Sequence, residues 1–252
     1  MATPAERAAS ARAWYHACQE RPCEQVLAWE YGTVVRTRRH PDFYFHNGLR
    51  VERATPLDAA ELVAEADRLL GSRCHQITFE HLPEAERLRE PLEARGWVGS
   101  AAVLMLHEGV RPEAVAAAAV AEVPYDRVEG LRVAWHREDF PGVDPTAFLA
   151  SRREIHLAGP CTVLAAPPHG DPAGFAELIA LDDRAEISSV YVAPEHRRRG
   201  LGTQLTRAAI ERGLESEELW IGAEAAGPAR QIYERLGFRA AWEFVDFTLP
   251  GD

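Results

Sequence analysis

The segment most informative about the fold comprises residues 190–203, VYVAPEHRRRGLGT. Its first residues predict a buried strand that ends at Pro194, and the apolar periodicity after Gly202 predicts a helix. A turn with three consecutive arginines joins the two. The first N–H groups of a helix have no partner within it, and the helix dipole adds positive charge there, so phosphates bind well at such a terminus. Because glycines let phosphate oxygens approach the backbone, the segment predicts a pyrophosphate site.

Composition and motif spacing exclude several other classes of binding protein. The chain of 252 residues has 28 Lys+Arg against 39 Asp+Glu, a net charge of −11, and contains no lysine. A Gly-Lys-Ser/Thr phosphate loop is therefore absent, and no G-x-G-x-x-G follows the strand as a dinucleotide-binding unit requires. The acid excess argues against a nucleic-acid partner, which needs a basic face. It favours a small cationic molecule instead.

The cysteines predict neither a metal site nor a disulfide framework. None of them forms a C-x-x-C pair, and we interpret the nearest His/Cys cluster, His16 with Cys18 and Cys23, as a helix face followed by a turn. Few and irregular cysteines are typical of a reducing compartment. No apolar run approaches the roughly 20 residues that a membrane span needs. We therefore predict a soluble, cytoplasmic protein without membrane partners.

The end of the chain repeats the order of elements found in its first half. Each half shows a predicted helix, a short strand, a helix, a Gly-aromatic pair and a long strand, with Gly96-Trp97 matching Gly237-Phe238 at an offset of 141 residues. A matched order at a single offset favours a tandem duplication. The β-branched and aromatic run 25–38 predicts a strand. Residues 116–123 predict another strand, although their alanines fit a helix equally well. The pattern breaks near Pro112, where we place a domain boundary.

Two motifs resemble those of the GCN5-related N-acetyltransferase (GNAT) superfamily. The phosphate motif Q/R-x-x-G-x-G/A of that family is matched by Arg197, Gly200 and Gly202. Its later motif, roughly N-x-x-A-x-x-L-Y-x-x-x-G-F, is matched at Ala229, Ile232, Tyr233, Gly237 and Phe238. Alanine occupies the asparagine position, Ala226, so one side-chain contact of the family to the pantetheine arm is missing.

The resemblance implies an α/β (α+β) fold of two GNAT-like lobes, each with a mixed, mostly antiparallel central sheet flanked by helices. It places a GNAT N-acetyltransferase domain at 111–252 and a degenerate lobe without a cofactor site at 1–110. Where the first lobe should carry a phosphate loop, it has Glu52-Arg-Ala-Thr-Pro-Leu-Asp58, a stretch without glycine. We therefore expect one active site in the chain.

The resemblance also implies acetyl-CoA as the cosubstrate, with no metal. Backbone groups of Val190 and Val192 would pair with the pantetheine amides as an added strand does, and a backbone N–H near Val190 would bind the oxyanion. The residues expected to bind the cofactor are Val190, Val192, Arg197, Arg198, Arg199, Gly200, Leu201, Gly202 and Thr203.

Two side chains are candidates for proton transfer. Glu186 lies eleven residues before Arg197, where histone acetyltransferases of the family carry a glutamate, and a carboxylate can accept the proton of an ammonium. Strand alternation puts it on one face with Ser188 and Val190 unless a bulge intervenes. Tyr233 matches the tyrosine that protonates the departing thiolate in the family. As structural roles, Glu186 could be a surface residue and Tyr233 a core aromatic.

The implied function is acetyl transfer from acetyl-CoA to a primary amine of a small acceptor, with a peptide amine as the other acceptor class. A CoA-binding sensor without turnover is the alternative, because Ala226 departs from the motif. A structural partner protein with a merely solvated basic turn is a third hypothesis. The oligomeric state is a monomer or a homodimer.

Overall fold

The structure is a computed structural model that describes residues 3–41, 43–113 and 119–249. None of the helices in these ranges is long and apolar enough to cross a bilayer. Of the segment predicted as a strand at 116–123, residues 116–118 lie outside the described residues, and Ala121–Val123 form a strand as predicted.

The chain forms two compact units. Unit 1 contains the described residues up to Val103, together with Glu224–Ala226 and those from Trp242 onwards. Unit 2 contains the described residues of Leu104–Ala223 and Gly227–Ala241. The C-terminal strand thus ends in unit 1, whereas the sequence assigned it to the second domain. The compact units do not divide the chain at the predicted boundary between residues 110 and 111. That boundary, which separates the two halves of the proposed duplication, stays a prediction.

Unit 1 is built from helices and strands of the first half, together with the end of the last strand of the chain. Its elements are α1 (Pro4–Glu20), β1 (Gln25–Trp29), β2 (Gly32–Arg36), β3 (Gly48–Val51), α2 (Ala59–Leu70), β4 (Gln76–Phe79), α3 (Leu82–Glu93) and the start of β5 (Val98–His107). Where the sequence predicted one strand over 25–38, the structure has a hairpin, because the chain turns at Glu30 and Tyr31. Gly32 then approaches β3 so closely that a Cβ would lie 2.1 Å from the Arg50 carbonyl oxygen.

Unit 2 contains the predicted pyrophosphate segment. Its elements are β6 (Ala121–Val123), α4 (Glu129–Asp139), α5 (Thr146–Leu157), β7 (Cys161–Ala166), β8 (Gly174–Leu181), β9 (Arg184–Val192), α6 (Leu201–Gly213), β10 (Glu218–Glu224), α7 (Pro228–Arg235) and the start of β11 (Phe238–Thr248). In both halves three strands precede a helix, a strand, a helix and a long strand. This common order supports the duplication predicted from the sequence.

Both units have mixed sheets, as predicted. In unit 1 the order is β1-β2-β3-β4-β11, and only β3 and β4 run parallel. In unit 2 the order is β10-β9-β8-β7-β6, and only β9 and β10 run parallel. A parallel pair needs a crossover connection, which α2 and α6 provide.

Apolar faces hold each unit together. In unit 1, α2 and α3 bury leucines such as Leu62 and Leu88 in a core with Leu49 and Ile77 of the sheet. In unit 2, Phe175 and Tyr191 belong to a core cluster with Val163, on the side of α4. The candidate site lies at the end of β9, directly after the buried Tyr191.

Candidate functional site

Strands β9 and β10 separate partway along their length. Their registered pairs run from Arg184 with Glu218 to Ile187 with Ile221 and end there. β8 continues to pair with β9 on its other side as far as Val192. A length of β9 from 188 to 192 therefore has one edge without a neighbouring strand among the described pairs. Such an edge can accept an extended, amide-bearing ligand.

A β-bulge interrupts β9 where the two strands separate. Glu177 of β8 is opposite Ser189, but the next β8 residue, Leu178, is opposite Ile187, so Ser188 is the extra residue. The Ser188 hydroxyl is buried without a hydrogen-bond partner. A bulge turns the strand and re-aims the groups beside it.

The bulge changes the face on which Glu186 lies. Glu186 pairs with Ile179 and Ser189 with Glu177, and residues two apart on β8 share a face. Glu186 therefore shares its face with Ser189, whereas Val190 lies on the other. The sequence placed Glu186 on one face with Val190 only if no bulge intervened, and the bulge at Ser188 is that exception.

The turn after β9 presents the first amides of α6. Arg198 and Gly200 have left-handed backbones, with φ of 62° and 80°, and no side chain caps the helix at Gly200. The first intrahelical hydrogen bond runs from the N–H of Gln204 to the carbonyl of Gly200. The preceding N–H groups of Leu201, Gly202 and Thr203 are those that an anion would bind.

The three arginines of the turn differ in their engagement. Arg197 donates to Oε2 of Glu138 at 2.6 Å and to the carbonyl of Val192 at 2.9 Å. The hydrogen bond from Arg197 to Glu138 lowers the pKa of the Glu138 carboxyl. Arg198 and Arg199 are exposed. Arg197 thus ties the turn to α4 and engages the Val192 carbonyl, while Arg198 and Arg199 remain available to phosphates.

Tyr233 lies on α7, with its ring 6.2 Å from that of Phe238. The side chain is buried, and burial raises the pKa of Tyr233 to about 12. The phenol is therefore protonated at neutral pH and able to donate. Ala226 lies in the exposed loop before α7, and its methyl group offers no hydrogen bond.

A buried ionic cluster, which was not predicted from the sequence, lies beside the bulge. Glu177 is fully buried and accepts hydrogen bonds from Arg132 at 2.9 Å and from Arg152 at 2.7 Å. Nη2 of Arg152 also donates to Oγ of Ser189 at 2.7 Å. One feature of the sequence could have indicated this cluster: the apolar run FAELIAL contains a single carboxylate, Glu177. A charge buried in such a strand needs a partner of opposite charge. Arg152 bridges the two strands at the bulge and so holds its shape.

The charges of this cluster are strongly perturbed. Burial alone would raise the pKa of Glu177, but the neighbouring Arg152 and Arg132 lower it to about 2. Burial lowers the pKa of His156 to about 4, although Glu177 opposes this shift. At neutral pH His156 is therefore uncharged, and the two arginines with the one carboxylate leave a net charge of +1.

The corresponding positions of unit 1 are closed. Oδ1 of Asp58 accepts hydrogen bonds from the N–H groups of Ala60 and Glu61, at 2.7 and 2.9 Å, and so caps α2. The β3–β4 pairing continues to Val51 and Phe79, where both strands end. This carboxylate occupies the amides that a phosphate would use, which supports the prediction that the first lobe binds no cofactor.

We expect Asp58→Ala to remove a cap without creating a phosphate site. The free energy of unfolding should fall by about 1 kcal/mol, the usual cost of losing an N-cap, as measured by urea denaturation. Calorimetry should detect no second CoA site, because β3 and β4 remain paired. A second equivalent of CoA bound by this variant would contradict the account of unit 1.

A family model matches the part of the chain that carries these features. Residues 132–238 match the model described as acetyltransferase (GNAT) family. Residues 132–238 thus form a domain of the GNAT family. The match spans α4 to the start of β11, and thus includes both the turn at Gly200 and Tyr233.

Curated GNAT relatives match over short segments. An uncharacterized N-acetyltransferase of Methanocaldococcus jannaschii is 41% identical over 81 residues, which cover 28% of this chain and 35% of that protein. A mycothiol acetyltransferase of Nocardia farcinica is 36% identical over 81 residues, covering 32% of this chain and 26% of that protein. The chain thus spans about a third or less of the length of these relatives.

One solved GNAT structure resembles the whole chain. A GCN5-related N-acetyltransferase from Kribbella flavida superimposes with a TM-score of 0.58 at 20% identity, covering 98% of this chain and 96% of that one. At this identity the likeness concerns the fold alone. It extends through the first half, and the mixed, mostly antiparallel GNAT-like fold flanked by helices that the motifs predicted is confirmed.

Proposed function

We propose that the chain transfers an acetyl group from acetyl-CoA to a primary amine of a small acceptor. The observation that carries the proposal is the uncapped N-terminus of α6, with left-handed Gly200, next to the unpaired edge of β9. The helix amides would bind the pyrophosphate and the strand edge would hold the pantetheine arm. Arg198 and Arg199 would add local positive charge to a chain that is acidic overall.

The proposed reaction is a direct attack without a covalent enzyme intermediate. Glu186 takes a proton from the acceptor ammonium, directly or through water, and the neutral amine attacks the thioester carbonyl. A backbone N–H near the bulge stabilises the oxyanion, a contribution of about 3 kcal/mol in comparable sites. The C–S bond then breaks, and the Tyr233 hydroxyl gives its proton to the thiolate. The second proton of the former ammonium leaves the nitrogen as the amide forms and reprotonates Tyr233, directly or through water. The proposed transfer needs no metal.

The class of acceptor is the least constrained part of the proposal. A relative named for mycothiol and the net charge of −11 support a small, cationic amine. Peptide amines are the other class to test. We do not include nucleic acid or membrane among the partners, and we expect a monomer or a homodimer.

Incubation with acetyl-CoA and an amine library tests the proposal. Release of free thiol, with acetylated product identified by mass spectrometry, is the expected result. Tight CoA binding without thiol release for any small amine or peptide would favour a CoA sensor. Absence of CoA binding by calorimetry would contradict both hypotheses.

Gly200→Val should weaken CoA binding at least tenfold. A side chain at φ 80° is strained, and a branched one would stand where phosphate oxygens approach the amides. Gly142→Val is the matched control, because Gly142 also has positive φ (87°) and open space around its Cβ position. Calorimetric titration with CoA measures both, and equal affinities for the two variants would remove Gly200 from the proposed cradle.

A further inference from the structure

Unit 1 contains a cluster of potential metal ligands unrelated to the GNAT motifs. His16 lies on α1, Glu52 directly after β3 and Glu80 directly after β4. One ligand atom from each lies within 4.8 Å of the other two. Within the described ranges, no other group of three or more His, Cys, Asp or Glu residues meets this condition. Spacing along the chain did not indicate this group, since the three residues come from separate elements.

The register of the sheet explains why two carboxylates meet here. β3 and β4 run parallel, with Arg50 opposite Thr78 and Val51 opposite Phe79. The next position on each strand is a glutamate, Glu52 and Glu80. Like charges at adjacent positions of neighbouring strands repel each other. The arrangement is therefore costly unless a cation lies between them.

The protein supplies only part of that positive charge. The guanidinium of Arg50 is buried and bonded to Glu20, and its Nε is 3.6 Å from Oε1 of Glu52, beyond hydrogen-bond distance. Glu20, Glu52 and Glu80 oppose this one arginine. The three carboxylates and the one guanidinium sum to a net charge of −2, which one divalent cation would neutralise.

A buried oxygen without a partner points to the same position. The Glu80 side chain is only 3% exposed. Its Oε1 bonds Nε2 of His16 at 2.5 Å, but its Oε2 is buried without any hydrogen-bond partner. A buried, unsatisfied carboxylate oxygen is costly. A bound cation would satisfy it, and the side chains of His16 and Glu52, 24% and 22% exposed, leave a path from solvent.

We propose that His16, Glu52 and Glu80 bind a divalent transition-metal ion, with Zn²⁺ the best match. One imidazole and two carboxylates are ligands that Zn²⁺ accepts at about 2.0–2.2 Å, with a water as the fourth ligand. The imidazole disfavours Mg²⁺, which prefers oxygen ligands alone. The ion would join α1 to the ends of β3 and β4. The site is independent of the proposed acetyl transfer.

Calorimetry and elemental analysis of the full chain test this site. After chelator treatment and dialysis, titration with ZnCl₂ should show one ion per chain, with MgCl₂ binding at least 100-fold more weakly. Glu80→Gln and His16→Gln should each weaken Zn²⁺ binding at least tenfold. If either variant fails to fold, Glu52→Gln decides, because Glu52 is less buried.

Matched controls separate the site from adventitious binding. Glu65→Gln and His169→Gln, which alter a carboxylate and an imidazole elsewhere, should bind Zn²⁺ as the wild type does. A wild-type chain that binds no Zn²⁺, or binding unchanged in Glu80→Gln and His16→Gln, would overturn the proposal. So would loss of binding in a Cys18→Ser/Cys23→Ser variant with Glu80→Gln unaffected, which would place the ion on thiolates.

Discussion

Tyr233→Phe and Glu186→Gln are each expected to lower kcat by about 100-fold or more, the usual contribution of a positioned acid or base. The Kd for CoA should change less than threefold, because neither side chain belongs to the phosphate cradle. Phenylalanine preserves the packing of the buried ring against Phe238 and removes only the donor. Steady-state kinetics with an accepted amine, together with CoA calorimetry, measure the two effects.

The pH dependence of kcat tests the role of Tyr233 as a proton donor. Because burial raises the pKa of Tyr233 to about 12, the phenol keeps its proton up to pH 10, and its ionisation should not limit kcat below that pH. Tyr31→Phe in unit 1 and the exposed Glu215→Gln serve as matched controls and should retain wild-type kcat. Full activity of the Tyr233 or Glu186 variant would show that the side chain has a structural role only.

Glu177→Gln is expected to reduce the free energy of unfolding by about 3–5 kcal/mol, the cost of leaving buried charges unpaired. The substitution keeps the shape of the side chain but leaves Arg132 and Arg152 without their counter-ion. Urea denaturation monitored by circular dichroism measures the change. The exposed Glu215→Gln should alter stability by less than about 0.5 kcal/mol.

Acid titration tests the same cluster. Glu177 has a pKa of about 2 in the folded protein, against an ordinary value of 4.5 for a glutamate, so the unfolded chain binds its proton first as the pH falls. The stability that this carboxylate contributes is therefore present above pH 4.5 and is lost towards pH 2. The stability difference between wild type and Glu177→Gln should narrow across that window. A constant difference would argue against a depressed pKa.

Local sequence predicted the turn well and the strand before it less well. Arg197, Gly200 and Gly202 indicated a helix terminus open to anions, because glycine at a left-handed position and the missing cap are properties of a few consecutive residues. The face of Glu186 depended on the bulge at Ser188, which only the register against β8 reveals. The roles of Glu186 and Tyr233 stay predictions until kinetics tests them.

Residues close in sequence thus determined the family, the order of elements, the open helix terminus and the closed counterpart at Asp58. Those features depend on backbone conformation and periodicity, which nearby residues set. Tertiary structure alone decided the pairing of Glu177 with Arg132 and Arg152, the junction of His16, Glu52 and Glu80, and the inclusion of the last strand in unit 1. Each of these features depends on which strands and helices, distant in sequence, pack together. Burial then sets the energetic cost of the charged groups, and a local sequence pattern does not determine burial.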